Sequence, residues 1–172
     1  MRKNICARDF SHGRVLGTLN LYMMTALTEY VSEIQISYHP TKRKEVVIST
    51  SADAFEELKE WFPVDTISLQ ERFMVLYLNR ANKVLGAFLA SLGGITGTVA
   101  DPRLIMSVAL KTAAVGIVLA HNHPSGNLKP SRADELLTRR IQEAGNLLDI
   151  QLVDHIIISR NGYLSLADEG LL

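Results

Sequence analysis

The sequence has little or none of several features that mark common protein classes. Cys6 is the only cysteine among 172 residues, which excludes an intrachain disulfide and a zinc site built from several cysteines. No apolar run is long enough to cross a bilayer as a helix, so we expect no membrane partner. The chain also lacks repeats and low-complexity segments. From the single cysteine we expect a reducing, cytoplasmic location.

The chain also carries no net charge. The 18 lysines and arginines balance 18 aspartates and glutamates, so the chain lacks the broad basic field expected of a dedicated nucleic-acid-binding protein. Two zinc-hydrolase patterns are absent as well. No His-Glu-x-x-His sequence occurs, and the Pro-Cys-x-x-Cys pattern of deaminases cannot be formed with one cysteine.

What the composition does supply is an ordinary globular core. Apolar residues make up 47% of the chain, and its length favours one domain, here residues 31–172, after an N-terminal appendage at residues 1–30. Residues 15–27 faintly resemble a secretory signal, but polar residues interrupt them. We interpret this stretch instead as an uneven amphipathic segment that packs on the domain or on a partner, with Met24 as an alternative start.

Hydrophobic periodicity predicts strands and helices that alternate along the chain. Residues 73–78 and 115–120 are continuous apolar runs, typical of central strands buried on both faces. Trp61 and Phe62 are predicted to anchor the core. The remaining predicted strands are residues 34–38, 46–48, 84–89, 150–159 and 163–166, and the predicted helices cover residues 51–61, the stretch from Asp101 onward, and residues 131–148.

One stretch combines the residue types of a metal site. The apolar run that ends at Ala120 is followed by His121 and His123, whose side chains point to the same side of an extended segment. Ser131 opens the next helix, so Asp134 lies in its first turn. Two imidazoles and one carboxylate are three of the four ligands of a catalytic zinc ion, with the last position left for water. Active sites of α/β proteins gather at the carboxyl ends of strands, which supports this interpretation.

Each part of this stretch also has a purely structural explanation. Ser131-x-x-Asp134 after a proline is a capping-box-like helix start, and two histidines in a loop are often only solvated. His155 lies within a predicted strand, where we interpret it as a satisfied core histidine, with a supporting role behind a metal ligand as the alternative. The glycine-rich residues 91–98 lack the Gly-Lys-Ser/Thr ending of a P-loop. They are interpreted as a flexible loop beside the metal site, where bare backbone could pair with an extended substrate.

The pattern His121-x-His123-Pro124, six residues and then Ser131-x-x-Asp134 resembles the JAMM signature of the MPN (JAB) metalloprotease domain. The sequence His-Asn-His-Pro-Ser-Gly, which starts at His121, is similar to the RadC-like branch of this family, and so is the later stretch at residues 152–158. The resemblance extends from residue 33 to residue 172. It implies an α/β fold in which helices flank a mixed, curved β-sheet, with cytidine-deaminase-like layering.

The resemblance also implies a site and an activity. It assigns one zinc ion per chain to His121, His123 and Asp134, and it places Ser131 near the bound water. The catalytic glutamate of the family opens a strand with the pattern Glu-x-Phe-x-Val-Leu-x-Leu, which recurs here from Glu71 onward. The implied activity is hydrolysis of a peptide or isopeptide bond in a peptide or protein substrate.

Two other functions stay open at this point. One is a DNA-repair or DNA-transaction factor with a metal site, suggested by the RadC resemblance and by a modest basic face of Arg132, Arg139 and Arg140. The neutral net charge, and the lack of a counterpart to the helical N-terminal module usual in RadC proteins, make us expect it less. The other is a catalytically silent MPN interaction domain, which the retained metal residues disfavour. The sequence leaves the oligomeric state open, with a homodimer among the alternatives.

Overall fold

The computed structural model describes residues 38–39, 45–94 and 100–172. Within them the elements are α1 (Ser51–Lys59), β1 (Arg72–Leu78), β2 (Val84–Leu92), α2 (Pro102–Thr112), β3 (Gly116–Asn122), α3 (Arg132–Leu147), β4 (Gln151–Ser159) and β5 (Gly162–Ser165). The predicted appendage at residues 1–30, most of the predicted strand at residues 34–38, and part of the glycine-rich loop lie outside the described residues.

The five strands form one mixed sheet in the order β2-β1-β3-β4-β5. Strand β1 runs antiparallel to β2 and β3, β3 and β4 are parallel, and β5 returns antiparallel to β4. A parallel pair needs a crossover connection, and α3 supplies it between β3 and β4. The prediction of an α/β fold with a mixed sheet flanked by helices is confirmed.

Strand and helix ends differ from the predictions by a few residues. Residues 46–48 form only an isolated bridge, between Val47 and Lys83, rather than a strand. Strand β2 continues to Leu92 because Ser91 and Leu92 pair with Phe73 and Arg72, so the start of the glycine-rich stretch belongs to the sheet. Pairing partners distant in sequence extend or shorten a strand in ways that local composition does not show.

The two central strands are buried on both faces, as predicted. Every residue from Phe73 to Leu78 in β1 and every residue of β3 is buried. Alternate side chains enter different cores. The core beside α2 and α3 contains Val75, Tyr77, Ile105, Ile117, Leu119 and Ile141. The core beside α1 contains Leu58, Phe62, Met74, Leu76, Val118 and Ile156.

Helix α1 covers the second core. Its N-cap Thr50 and Asp53 form a capping box, in which each side chain accepts a hydrogen bond from the backbone of the other. Phe62 is buried in this core, as predicted. Trp61 is only partly buried and packs against the outside of the core. Among the described helices, none combines the length and apolar character needed to cross a membrane.

A close backbone contact fixes α3 against the sheet. A Cβ atom on Gly145 would lie 2.3 Å from the carbonyl oxygen of Ile150, and the Ile150 N–H donates to the Gly145 carbonyl at 2.8 Å. Only glycine allows the helix to approach the start of β4 this closely. Since α3 carries Asp134 and β3 carries His121, this contact helps to set the distance between them.

Candidate metal centre

The structure brings together the three predicted metal ligands, whose ligand atoms all lie within 4.8 Å of one another. His121 lies near the end of β3, His123 follows directly, and Asp134 lies in the first turn of α3. The Nε2 atoms of His121 and His123 are 3.0 Å apart. The carboxylate oxygens of Asp134 lie 3.3 Å from Nε2 of His121 and 3.4 Å from Nε2 of His123.

A tight loop orients the ring of His123. Its Nδ1 lies 2.5 Å from the carbonyl oxygen of Asn127. Because a carbonyl only accepts hydrogen bonds, Nδ1 carries the hydrogen and the Nε2 of the neutral ring is left with a lone pair. Gly126, at φ 80°, makes the turn that brings Asn127 back. The His123 N–H donates to the Ile158 carbonyl at 3.0 Å, which ties the loop to β4.

The helix cap of α3 orients the carboxylate of Asp134. The Ser131 N–H donates to the Asp134 carboxylate at 2.6 Å, and the Asp134 N–H donates to Ser131 Oγ at 3.2 Å. This is the predicted capping box. The same carboxylate also faces both imidazoles, so the capping role and the metal-ligand role do not exclude each other.

Electrostatics favour a positive charge at the centre of the cluster. Burial by itself would raise the pKa of Asp134, but the interactions of the carboxylate with the His121 and His123 rings outweigh it and hold that pKa well below its usual range. The hydrogen bond to Asp134 raises the pKa of His123 against the opposing effect of burial. Two ring nitrogens and a carboxylate at one point therefore attract a cation, which is either a proton or a metal ion.

His155 lies directly behind His121. Its Nε2 is 2.9 Å from His121 Nδ1, and its Nδ1 is 2.6 Å from Thr138 Oγ1. The ring is fully buried, and burial lowers its pKa well below the ordinary value, an effect that His121 reinforces. His155 is thus a neutral core histidine with two hydrogen-bond partners, and it is not one of the three grouped ligands. Its position behind His121 also matches the alternative interpretation from the sequence, in which His155 supports a metal ligand.

Glu71 lies directly before β1, beside the same cluster. Burial raises the pKa of its carboxyl group, while the nearby His121 and His123 lower it. Glu71, His123 and Ser131 line one open cleft of about 400 Å³. Loop residues Pro124, Ser125, Asn127, Lys129 and Pro130 complete its wall. The residue singled out by the family pattern therefore lines the same cleft as His123, one of the three clustered side chains.

Asn122 holds the segment that carries Glu71, a role that the sequence patterns did not predict. Its side chain is fully buried. The amide nitrogen donates to the carbonyls of Ile67 at 2.7 Å and Gln70 at 3.0 Å, and the amide oxygen accepts from the Arg72 N–H at 2.8 Å. The sequence offered one signal for this role, the position of Asn122 between the two histidines. Because neighbouring side chains in a strand point to opposite faces, Asn122 had to face away from the histidines.

Comparison with known proteins identifies the family. The chain matches the RadC-like JAB domain over residues 45–171. It is 44% identical over 124 residues to a "UPF0758 protein" of Flavobacterium johnsoniae, covering 72% of this chain and 53% of that protein. A second "UPF0758 protein", from Methanosarcina mazei, is 32% identical over 157 residues, covering 91% of this chain and 66% of that protein. The chain spans about half to two thirds of the length of these curated relatives. With the mixed sheet and the His-His-Asp cluster in place, the chain belongs to the RadC-like JAB domain family.

Proposed function

We propose that this domain is a zinc-dependent hydrolase of JAMM type that cleaves an amide bond in a peptide or protein substrate. The observation that carries the proposal is the convergence of His121, His123 and Asp134 on one point. One of the three, His123, lines a cleft together with Glu71 and Ser131. The JAB family includes metallohydrolases, and a carboxylate beside a metal site is the general-base arrangement that such hydrolysis needs.

The nearest distances between the side chains of the cluster are close to those between the ligands of a zinc ion. Zinc bonds of about 2.0–2.1 Å to nitrogen and oxygen place neighbouring ligand atoms of a tetrahedron about 3.3–3.4 Å apart. The two imidazole nitrogens here are 3.0 Å apart. They face different oxygens of the Asp134 carboxylate, with Oδ1 3.3 Å from His121 Nε2 and Oδ2 3.4 Å from His123 Nε2. Two imidazoles and a carboxylate without thiolates are also a donor set of catalytic zinc sites, which leave one position open.

In the proposed reaction Glu71 moves the proton. A bound zinc ion would supply a Lewis acid that lowers the pKa of a water ligand to about 7 and polarises the substrate carbonyl. Glu71 accepts the proton of the attacking water and passes it to the leaving nitrogen. The raised pKa of its partly buried carboxyl group suits both steps, because a carboxylate of very low pKa would hold a proton too weakly.

Ser131 has a hydrogen-bonding capacity that its capping role does not use. Its Oγ accepts from the Asp134 N–H, so its own hydroxyl hydrogen is available to an acceptor in the cleft. In the proposal it donates to the oxygen that becomes negative during hydrolysis. A donor of this kind typically contributes about 3 kcal/mol to stabilisation of the transition state.

A role in DNA transactions is the alternative with a specific observation in its favour. Arg132, Arg139 and Arg140 are all exposed on α3 and could contact phosphates. A net charge of zero nevertheless gives this domain little long-range attraction for DNA. Binding to DNA that weakens steeply with added salt would support the alternative, and salt-insensitive binding would argue against it.

The test of the proposed function is metal-dependent cleavage. The full chain is incubated with libraries of linear peptides and isopeptide-linked peptides, and mass spectrometry identifies the products. We expect cleavage that stops on removal of the metal with a chelator and returns with added zinc. Cleavage that persists in the metal-free protein would contradict the proposal. The Glu71→Gln variant, used as an inactive trap on a cell lysate, would then identify natural substrates.

A further inference from the structure

We propose that His155 is a positioning residue that, together with Thr138, fixes the tautomer of His121 and so keeps its Nε2 lone pair directed at Asp134 and His123. The inference rests on the metal site of the proposed function but not on the hydrolytic reaction. It concerns residues behind the site, on β4 and α3, and gives His155 a task beyond filling the core.

The backbone of α3 determines which group donates in the hydrogen bonds that link Thr138, His155 and His121. Thr138 Oγ1 lies 2.6 Å from the carbonyl oxygen of Asp134. A carbonyl can only accept, so the single hydroxyl hydrogen of Thr138 points to it. Thr138 Oγ1 is therefore an acceptor toward its second partner, Nδ1 of His155, at 2.6 Å. Nδ1 of His155 consequently carries a hydrogen.

The hydrogen position in His155 determines the hydrogen position in His121. A neutral imidazole with a hydrogen on Nδ1 has a lone pair on Nε2. This Nε2 lies 2.9 Å from Nδ1 of His121, so His121 donates from Nδ1 and keeps a lone pair on its own Nε2. That Nε2 lies 3.0 Å from the Nε2 of His123 and 3.3 Å from the Asp134 carboxylate. The nitrogen that faces the cluster is thus the one free to bind a metal ion.

His121 needs this arrangement in a way that His123 does not. The Nδ1 partner of His123 is the Asn127 carbonyl, which can only accept. The partner of His121 is another imidazole, which can donate or accept. Without Thr138, His155 could adopt the tautomer with its hydrogen on Nε2 and donate to Nδ1 of His121. His121 would then carry its own hydrogen on Nε2, where it blocks metal binding. Thr138 removes this alternative.

Because the hydrogen-bonded chain of Thr138, His155 and His121 is buried, its hydrogen positions depend on these side chains alone. His121, Thr138 and His155 are each no more than 3% exposed, so water cannot easily replace a missing partner. The Phe73 ring covers His121 at 5.8 Å, with the planes 8° apart, and contacts His155 at 5.6 Å. Thr138 also lies one helical turn after Asp134, so the turn of α3 that supplies one ligand also fixes the tautomer of another.

The test uses the full chain with Thr138→Val, which keeps the shape of the side chain and removes its hydroxyl, and Thr138→Ser, which keeps the hydroxyl. The matched control is Thr112→Val, since Thr112 Oγ1 makes a similar bond to the Val108 carbonyl in α2 at 2.9 Å. Zinc affinity is measured by competition with a chelator. We expect Thr138→Val to weaken zinc binding about 10- to 100-fold. Thr138→Ser and Thr112→Val should bind zinc like the wild type.

A second measurement needs neither a variant nor a metal. Nitrogen-15 NMR of the metal-free wild type, followed upward in pH until the imidazoles have lost their second proton, reports which ring nitrogen carries hydrogen. We expect the Nδ1–H form for both His121 and His155. An Nε2–H form of His121, or wild-type zinc affinity in folded Thr138→Val, would overturn the inference. A wild type that binds no zinc yet shows both Nδ1–H tautomers would contradict the proposed function and still support the tautomer assignment.

Discussion

The backbone N–H of Ser131 donates a hydrogen bond of 2.6 Å to the carboxylate of Asp134, and that carboxylate also faces the Nε2 atoms of His121 and His123. The start of α3 is therefore part of the His-His-Asp cluster. Because the cap holds the carboxylate from one side and the imidazoles meet it from the other, a change at Ser131 affects both helix stability and the site.

Ser131 offers a way to separate these two effects. Ser131→Ala removes a cap acceptor and should lower the free energy of unfolding by about 1 kcal/mol, and it should lower turnover while zinc stays bound. Ser131→Asn can still cap the helix but places an amide in the cleft. We expect it to restore the melting temperature relative to Ser131→Ala without restoring turnover.

Thr50→Ala is the matched control for Ser131, because Thr50 caps α1 with the same capping box. This change should lower stability by a similar amount and leave turnover unaltered. If Ser131→Asn recovers turnover together with melting temperature, Ser131 acts only as a cap and has no catalytic role.

His123→Ala should remove most of the bound zinc. The wild type is expected to hold about one zinc ion per chain, and two remaining protein ligands bind zinc weakly. Metal content of purified protein, measured by mass spectrometry, checks this. His39→Ala is the control, because His39 is an exposed histidine outside the cluster. Undiminished zinc in His123→Ala would remove the basis for the metal site.

Glu71→Gln should keep the metal and lose hydrolysis. The amide preserves the shape of the side chain but cannot accept a proton, and general acid–base catalysis contributes about 10²–10⁴-fold to the rate. Turnover and zinc content are measured on the same preparation, with the exposed Glu60→Gln as control. Wild-type turnover would exclude Glu71 as the base, and loss of zinc with activity would make Glu71 a metal ligand.

Asn122→Ala should reduce both stability and turnover. It leaves the Ile67 and Gln70 carbonyls and the Arg72 N–H without their partner, and an unsatisfied buried polar group costs about 1–3 kcal/mol. Because these residues surround Glu71, turnover should fall further than stability explains, while zinc stays bound. Asn79→Ala is the control, since the Asn79 side chain holds the β1–β2 turn through the Ala81 and Lys83 N–H groups. Equal turnover in the two folded variants would show that Asn122 has only a structural role.

Local patterns in the sequence were sufficient for the fold class and for the grouping of His121, His123 and Asp134. His121 and His123 share a face because they are two residues apart in extended backbone, and Asp134 lies in the first turn of a helix that Ser131 caps. Each of these placements depends on residues within about one helical turn or a few strand positions. The continuous apolar runs likewise determined which strands are central. Glu71 was identified only through the family pattern, since nothing local separates it from other acidic residues.

The tertiary structure alone decided what lies behind and beside these ligands. His155 reaches His121 because β4 pairs in parallel with β3 in a register that sets Leu119 opposite His155. Glu71 reaches the cluster because β1 pairs with β3 so that Phe73 lies opposite His121, with Asn122 holding the preceding turn. A shift of one residue in either pairing would turn these side chains to the opposite face of the sheet. Register between strands depends on the packing of both cores and the close approach of α3 at Gly145, interactions between residues far apart in the chain.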